Sequence, residues 1–407
     1  MDARTTGGLM TVRRLAVAAA VVLCACALVL AGCGSSDATV TTAATTTESA
    51  VATSASALYP VSVDGRWGYI DSTGTIKIQP QYELAGSFSE GLATVRLNGK
   101  WGYIDTSGTV VIQPRFDDAH SFSDGLATVG KFSEEGPLFG FIDKTGAIVI
   151  PMQYGFPSDF SEGLCLVIVE ESGSQTSGYI DKTGTVVIEP EFTMAGDFSE
   201  GLAGVMSAAD NSRRGYIDKD GDWAIELPGN LLPEERLGQG GFSEGLAVIR
   251  ELALDDPESP FHYGYVDTSG TVVIRPQFQG AFDFSEGLAA VAVDENDATK
   301  WGYIDKSGAW VIQPQFDNAG FFSEGLAAVA VRTSGTDSDP TWITDYSWGY
   351  IDRTGTVVIR MQYQTAESFS GGVARVENWA RVEGPAGAEL VSAAYIDKTG
   401  KVIWQGE

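Results

Sequence analysis

Nine aspartates stand at equivalent places along the chain, and they are the first residues whose type and spacing could do chemistry. Each ends a Gly-Tyr-Ile-Asp motif or a close variant of it, and a glycine follows three residues later. They are Asp71, Asp105, Asp143, Asp181, Asp218, Asp267, Asp305, Asp352 and Asp397. Two carboxylates that lie close together in space can hydrolyse a glycosidic bond, but nothing in this spacing points to a pair. An aspartate side chain that accepts hydrogen bonds from backbone amides two residues on caps a tight turn. We predict that this one role explains all nine.

A second motif, Phe-Ser-Glu-Gly, repeats in alternation with the first and carries another set of carboxylates. Its copies begin at Phe88, Phe122, Phe160, Phe198, Phe242, Phe284, Phe322 and Phe369. In two copies Asp124 and Gly371 stand in place of the glutamate. We predict that this glutamate is also a turn residue.

Few other reactive side chains are present. His120 and His262 are the only histidines and fall in different repeats, which argues against a Ser-His-Asp triad and a His-ligated zinc site. Cys165 occupies a position that alanine holds in other copies, and we interpret it as a small core residue. No glycine-rich phosphate loop opens a helix. The sequence therefore predicts a protein that is not an enzyme, with no catalytic, cofactor-binding or metal-binding residue and no cofactor.

The two motifs divide the chain into repeated units. From the glycine of the first motif to the phenylalanine of the second is 20 residues in seven of eight copies, and 27 in the other. Self-similarity at fixed spacing indicates a tandem-repeat architecture. In the unit at 92–116, alternating residues predict strand a at Leu92–Leu97, strand b at Trp101–Asp105 and strand c at Thr109–Gln113. Asn98-Gly99 predicts a hairpin between a and b, and Pro114, which has no N–H, is expected to end the pairing of strand c.

These units predict an all-β fold. Each is an antiparallel meander of three strands, or four if the crossing segment to the next unit adds a short one. A meander of this size must stack on its neighbours to bury its faces. About nine blade-like units then form either a propeller-like ring or an open β superhelix. Nine exceeds the four to eight blades that are usual for propellers, and the sequence leaves the choice open.

The motif also resembles a known family. Lys100-Trp101-Gly102 and Lys300-Trp301-Gly302 carry the signature of WG repeats, also called KWG repeats, of bacterial secreted and surface proteins. Arg66-Trp67-Gly68 and Ser347-Trp348-Gly349 are close to it. Other copies depart from it, with Phe139, Ser177, Arg214, Tyr263 and Ala393 in place of Trp and Ala394 in place of Gly. The resemblance covers roughly residues 59–407 and implies a β-rich repeat without a defined enzymatic activity.

The N-terminus has the pattern of a targeting segment. Arg13 and Arg14 precede an apolar run from Leu15 to Leu30, which is typical of a secretory signal and short for a membrane span. The run ends in Leu30-Ala31-Gly32-Cys33, which resembles the lipobox of bacterial lipoproteins and implies that Cys33 is lipidated. We therefore predict a signal peptide at 1–32, a Ser/Thr/Ala-rich tether at 33–57 and the repeat array at 58–407. The expected location is extracytoplasmic, with the protein membrane-anchored at the cell surface or on the periplasmic face.

Charge and connection length indicate what the array could bind. The net charge of −28 would repel nucleic acid. The connection between strands a and b varies most in length, and in a stacked array such connections emerge on one face. Acidic and aromatic residues in these connections form the candidate binding loops: Asp255, Asp256, Asp337, Asp339, Trp342, Asp345 and Tyr346. These acids could bind calcium, but we favour the interpretation that they are simply solvated charges. The variable length of the connections is explained equally well by a binding function and by drift where the fold is indifferent to length.

Three functions remain. The first is a cell-envelope lipoprotein that acts as a non-catalytic binding scaffold for a protein or glycan through these loops. The alternative is a structural spacer or envelope organiser without a single ligand. An envelope hydrolase ranks last.

Overall fold

The computed structural model describes residues 57–171, 174–209, 213–234, 241–252, 261–295, 298–333, 346–381 and 388–406. All of them belong to the compact unit Thr53–Glu407, whereas the other unit, Met1–Ala52, lies outside the described residues. In the described ranges, every regular secondary-structure element is a β-strand. None of the described residues forms a helix with the length and apolar character that a bilayer span requires.

Nine units, each with strands a, b and c, follow one another. Unit 1 contains β1 (Leu58–Val63), β2 (Arg66–Asp71) and β3 (Ile76–Tyr82). Unit 2 contains β4 (Leu84–Ala85), β5 (Leu92–Leu97), β6 (Lys100–Asp105) and β7 (Val110–Phe116). Unit 3 contains β8 (Asp118–Ala119), β9 (Ala127–Ser133), β10 (Gly136–Ile142) and β11 (Ile148–Tyr154). Units 4 and 5 contain β12 (Leu164–Glu171), β13 (Ser174–Asp181), β14 (Val186–Ala195), β15 (Ala203–Ser207), β16 (Arg214–Ile217) and β17 (Trp223–Glu226).

The remaining units follow the same scheme. Unit 6 contains β18 (Leu231–Pro233), β19 (Leu246–Leu252), β20 (Phe261–Asp267) and β21 (Val272–Phe278). Unit 7 contains β22 (Gly280–Ala281), β23 (Leu288–Glu295), β24 (Ala298–Asp305) and β25 (Trp310–Phe316). Unit 8 contains β26 (Asn318–Ser323), β27 (Leu326–Arg332), β28 (Tyr346–Asp352) and β29 (Val357–Tyr363). Unit 9 contains β30 (Thr365–Ala366), β31 (Val373–Arg381), β32 (Ala388–Asp397) and β33 (Val402–Gly406).

The motif glycine allows strands b and c to approach closely at a bulge. In unit 2 the register shifts between the pairs Trp101–Phe116 and Tyr103–Ile112. A Cβ at Gly102 would lie 2.5 Å from the Ile112 carbonyl oxygen and 2.6 Å from the nitrogen of Pro114. The prediction that Pro114 ends the pairing is wrong, because β7 continues to Phe116. A proline is tolerated at a bulge, where its missing N–H breaks no ladder bond.

The units stack into a ring. They form eight hydrogen-bonded sheets, one of them six-stranded because β14 of unit 4 also pairs with β15 of unit 5. The sheets are arranged as the blades of a β-propeller. Within the described ranges, nine hydrophobic clusters join successive units, one at each junction, and the ninth joins unit 9 to unit 1. The all-β prediction is therefore confirmed, and of the two arrangements left open the ring is the one observed.

Tyr59 closes the ring by taking the place of the motif phenylalanine at the junction between units 9 and 1. At eight junctions, a tyrosine or phenylalanine of strand b packs against the phenylalanine of the next Phe-Ser-Glu-Gly motif, with ring centroids 4.8–5.0 Å apart. At the junction between units 9 and 1, Tyr395 packs instead on Tyr59 at 5.6 Å and donates a hydrogen bond to the Pro60 carbonyl at 3.0 Å. The Tyr59 hydroxyl in turn donates to the Ser370 carbonyl at 3.0 Å. One side chain from strand a of unit 1 thus substitutes for a motif phenylalanine.

Candidate functional site

The nine motif aspartates cap the turns between strands b and c. Asp105 is typical, because its Oδ1 accepts hydrogen bonds from the backbone N–H of Ser107 at 2.9 Å and of Thr109 at 3.0 Å. The Ser107 hydroxyl donates to the same oxygen at 2.6 Å, and this bond with the two amide bonds holds the pKa of Asp105 below its usual range. The amide contacts recur in all nine copies. The turn-capping prediction is confirmed.

The carboxylates of the second motif join neighbouring units. Glu90 accepts a hydrogen bond at 3.1 Å from the backbone N–H of Gly125 in the next copy of the motif. It also pairs at 3.1 Å with Lys144, which lies in the turn between β10 and β11 of the same unit as Gly125. Equivalent ion pairs link Lys182, Lys219, Lys306, Arg353 and Lys398 to Asp124, Glu162, Glu244, Glu286 and Glu324. Because these carboxylates already have structural partners, this end of the ring is held by its own motif residues.

The segments that cross between units bring a further set of acids together. His120 Nδ1 lies 3.2 Å from Asp159 Oδ1, and the Thr128 hydroxyl donates to the same oxygen at 2.8 Å. The hydrogen bond to Asp159 raises the pKa of His120. Burial raises the pKa of Asp159, but the bonds from His120 and Thr128 outweigh it, so the pKa lies below its usual value. At a pH near the ordinary pKa of histidine, protonated His120 and ionised Asp159 therefore form an ion pair.

A cavity of about 520 Å³ lies among the segments that lead into units 4 to 7. Ser158, Asp197 and Asp283 line it, together with the motif serines Ser161, Ser199 and Ser243. Burial, with the nearby Asp159 charge, raises the pKa of Asp197. The motif serines donate to phenylalanine carbonyls of the following motif, at 2.7 Å for Ser161 and 2.6 Å for Ser199. The hydroxyls of Ser161 and Ser199 are therefore engaged in structural hydrogen bonds, and Asp197 and Asp283 supply the acidic groups of the lining.

Sequence reasoning did not single out Asp159, Asp197 or Asp283. Each stands immediately before the phenylalanine of the second motif, where other copies have serine, glycine or phenylalanine. Variation at a fixed position of an otherwise constant motif is the signal that could have found them. The described residues contain no group of three or more His, Cys, Asp or Glu side chains arranged to hold a metal ion.

The predicted binding loops lie at the ends of the a–b hairpins, which we call the hairpin-end face. Asp255, Asp256, Asp337, Asp339, Trp342 and Asp345 fall outside the described residues. Tyr346 is described and is half-buried at the start of β28. Arg332, opposite it on β27, donates to its hydroxyl at 2.8 Å and lies over its ring at 5.3 Å. Tyr346 is therefore held within its own hairpin.

The hairpins at this face differ in length. In unit 2 the pairing of strands a and b ends at Leu97 and Lys100, one two-residue turn apart. In unit 4 it continues to Glu171 and Ser174, and in unit 9 it continues to Arg381 and Ala388. Since the a–b pairs occupy equivalent places in every unit, the ends of these hairpins lie on the same face of the ring. The ring thus has one end fixed by repeated motif contacts and one end of unequal hairpins.

A model of the WG containing repeat matches residues 67–101, 101–131, 139–171, 178–207, 263–296, 301–332 and 348–378. These matches cover more than half of the chain. The chain belongs to the WG-repeat family. A search of curated proteins finds no match for this WG-repeat protein.

Three of the solved structures that match this chain show distant similarity. The crystal structure of the tricorn protease aligns at 11% identity and a TM-score of 0.26, covering 83% of this chain and 38% of that one. KlHsv2 with loop 6CD replaced by a Gly-Ser linker aligns at 8% identity and a TM-score of 0.35, covering 75% and 98%. Prolyl oligopeptidase B from Galerina marginata aligns at 11% identity and a TM-score of 0.39, covering 79% and 55%. At these TM-scores the matches carry no argument about this protein's activity.

Proposed function

We propose that this WG-repeat protein is a non-catalytic binding scaffold of the cell envelope, which holds a protein or glycan partner at its hairpin-end face. The observation that carries the proposal is the difference between the two ends of the ring. At one end, nine aspartate caps and the inter-unit carboxylate contacts repeat from copy to copy. At the other end the hairpins differ in length. Rigid scaffolds with variable loops are the usual setting of binding residues.

Ring closure favours a binding scaffold over a spacer. A spacer built from repeats would gain or lose reach as units are added or removed. In this ring each unit packs on two neighbours, and Tyr59 takes the place of the motif phenylalanine at the junction between units 9 and 1. Loss of one unit would therefore disrupt closure rather than shorten the molecule. A fixed ring is better suited to presenting a surface of defined shape.

The N-terminal sequence supports an envelope location. Lipidation of Cys33, which the lipobox-like Leu30-Ala31-Gly32-Cys33 implies, would tether the ring to a membrane through the Ser/Thr/Ala-rich segment. The net charge of the whole chain, −28, disfavours contact with anionic lipid and with nucleic acid. The partner that suits this surface is a protein or glycan of the envelope.

The test replaces long hairpin ends by a short turn in the full-length lipoprotein. Residues 334–345, and separately 253–260, are each exchanged for the Asn-Gly turn that unit 2 uses. Partners are captured from envelope extracts by cross-linking and identified by mass spectrometry. We expect one or both variants to lose the partner, whereas Lys144→Gln, at the other end of the ring, retains it. Capture that survives both exchanges would contradict the proposal.

A further inference from the structure

Strand a of most units is covered along the edge that faces away from strand b. The cover is a short piece of the preceding crossing segment, provided by β4, β8, the end of β14, β18, β22, β26 and β30. In unit 2 the N–H of Gly86 donates to the Thr94 carbonyl and the N–H of Glu83 donates to the Arg96 carbonyl, both at 2.9 Å. Thr94 and Arg96 therefore point their backbone groups toward this edge, since a strand residue directs its N–H and C=O the same way.

Strand β12 of unit 4 lacks this cover. The N–H of Ser158 donates to the Leu166 carbonyl at 3.0 Å, which reproduces the contact at Thr94. Two residues further on, Ile168 is the equivalent of Arg96, and among the described residues no strand pairs with β12 along this edge. The sequence difference is Pro157, which stands where unit 2 has Ala85 and which restricts the backbone of Phe156 before it. The open edge therefore lies at Ile168.

A groove of about 610 Å³ accompanies the open edge. Tyr154, Phe156, Ile168, Glu170 and Gln175 line it. Phe156 is 70% exposed and Ile168 is 45% exposed, and Phe156 is the most exposed large apolar side chain among the described residues. The Phe156 ring also packs on Phe139, with centroids 5.5 Å apart, and this contact holds the exposed ring in place.

We propose that this groove binds an extended segment of a partner protein, which adds a strand to β12 at Ile168. Main-chain hydrogen bonds to an open strand edge give affinity, and pockets for alternate side chains give selectivity. An aliphatic side chain of the segment enters between Phe156 and Ile168, and a lysine or arginine lies beside Glu170. Charge complementarity supports a basic segment, because Glu170 lines the groove and the chain carries a net charge of −28.

This inference rests on the proposed scaffold function and names a partner class for one place beside the hairpin-end face. Ile168 and Glu170 belong to the a–b hairpin of unit 4, whose pairing ends at Glu171 and Ser174. A protein partner that carries such a segment would contact the groove and the longer hairpins together. A glycan has no backbone amides to pair with the strand edge, so the groove favours a protein.

The test uses two labelled eight-residue peptides, one alternating valine with lysine and the other alternating valine with glutamate. Binding to the full-length lipoprotein in detergent is followed by fluorescence polarisation. We expect the lysine peptide to bind, and Phe156→Ala to weaken it roughly tenfold or more, as loss of an aromatic contact at the centre of an interface does. The matched control is Leu84→Ala, which truncates the equivalent residue of unit 2 where the edge is covered, and it leaves affinity unchanged.

Two further measurements separate strand addition from non-specific adhesion. We expect methylation of the backbone nitrogens of every second peptide residue to abolish binding in one register and to leave it unchanged in the other. The reason is that only the amides on one side of an added strand face β12. Glu170→Lys reverses the preference, so that the glutamate peptide binds more tightly. Equal weakening by Phe156→Ala and Leu84→Ala, indifference to methylation, or no binding of either peptide would overturn the proposal. If the hairpin exchanges still abolish partner capture in that case, the scaffold function stands without this groove.

Discussion

At the residue scale, the motif carboxylates serve structure, and this has a consequence for stability in acid. Eight of the nine capping aspartates have a pKa below the ordinary value, because neighbouring side-chain hydroxyls and backbone amides donate to them. In the unfolded chain such a carboxyl titrates near 3.8. The stabilisation is therefore fully present above that value and is lost as pH falls through the lowered folded pKa.

We expect the urea midpoint to be steady between pH 7 and pH 5 and to fall steeply below about pH 4, where these carboxyls begin to take up protons. Asp105→Asn should make that fall shallower, because one of the titrating caps is gone. Urea titrations at fixed pH, followed by tryptophan fluorescence, measure both effects. An unchanged midpoint between pH 5 and pH 3 would contradict the capping account.

Cys165 gives a second prediction at this scale. Its thiol is fully buried in the cluster that joins units 3 and 4, and burial raises its pKa to about 12. Since the thiolate is the reactive form, we expect no alkylation of Cys165 by iodoacetamide at pH 8 in the native protein. Labelling should appear across the unfolding transition in urea, as a mass increase on the peptide that contains Cys165. Rapid labelling without urea would show that this junction opens on its own.

At the scale of the strand and the hairpin, much of the unit could be predicted from the sequence. Strand a was predicted at Leu92–Leu97 and is observed there, and Asn98-Gly99 forms the expected hairpin. Both depend on local signals, namely alternation and turn residues. Strand c continues past Pro114 because a bulge at Gly102 accommodates the proline, and a bulge depends on how two strands pair. The open edge of β12 was not predicted either, since it requires knowing which segment covers which strand.

The bulge provides a prediction for the b–c pair. Gly102→Ala places a methyl group 2.5 Å from the Ile112 carbonyl oxygen. Because the contact is with backbone on both sides, it cannot relax by a rotamer change, and we expect a loss of more than about 1 kcal/mol of unfolding free energy. Gly155→Ala is the control, since a Cβ there meets no atom within 4 Å. Chemical denaturation of the two variants makes the comparison, and equal stability would mean that the bulge adapts freely.

At the scale of the whole molecule, closure could not be predicted from repeat counting. The number of units exceeds the usual blade count. What closes the ring is the Tyr59 side chain in strand a of unit 1, which is 9% exposed and takes the place of a motif phenylalanine. Its sequence position gives no hint of this, because the tyrosine and its partners, Ser370 and Tyr395, are more than 300 residues apart. A contact between residues so far apart in the sequence forms only when the curvature of all the intervening units brings unit 9 back to unit 1.

Tyr59 should therefore control the stability of the closing junction in particular. We expect Tyr59→Ala to cost about 3–5 kcal/mol, as truncation of a buried aromatic does, and Tyr59→Phe to cost about 1 kcal/mol through loss of the hydroxyl bonds. Amide hydrogen exchange should rise in β1 and β33 of the Ala variant, which flank the junction, before it rises in β9 or β12. Phe122→Ala, at a junction inside the chain, is the control, because it should instead raise exchange around β6 and β9. If Tyr59→Ala accelerates exchange evenly over all nine units, the ring unfolds as one body and Tyr59 is an ordinary core residue.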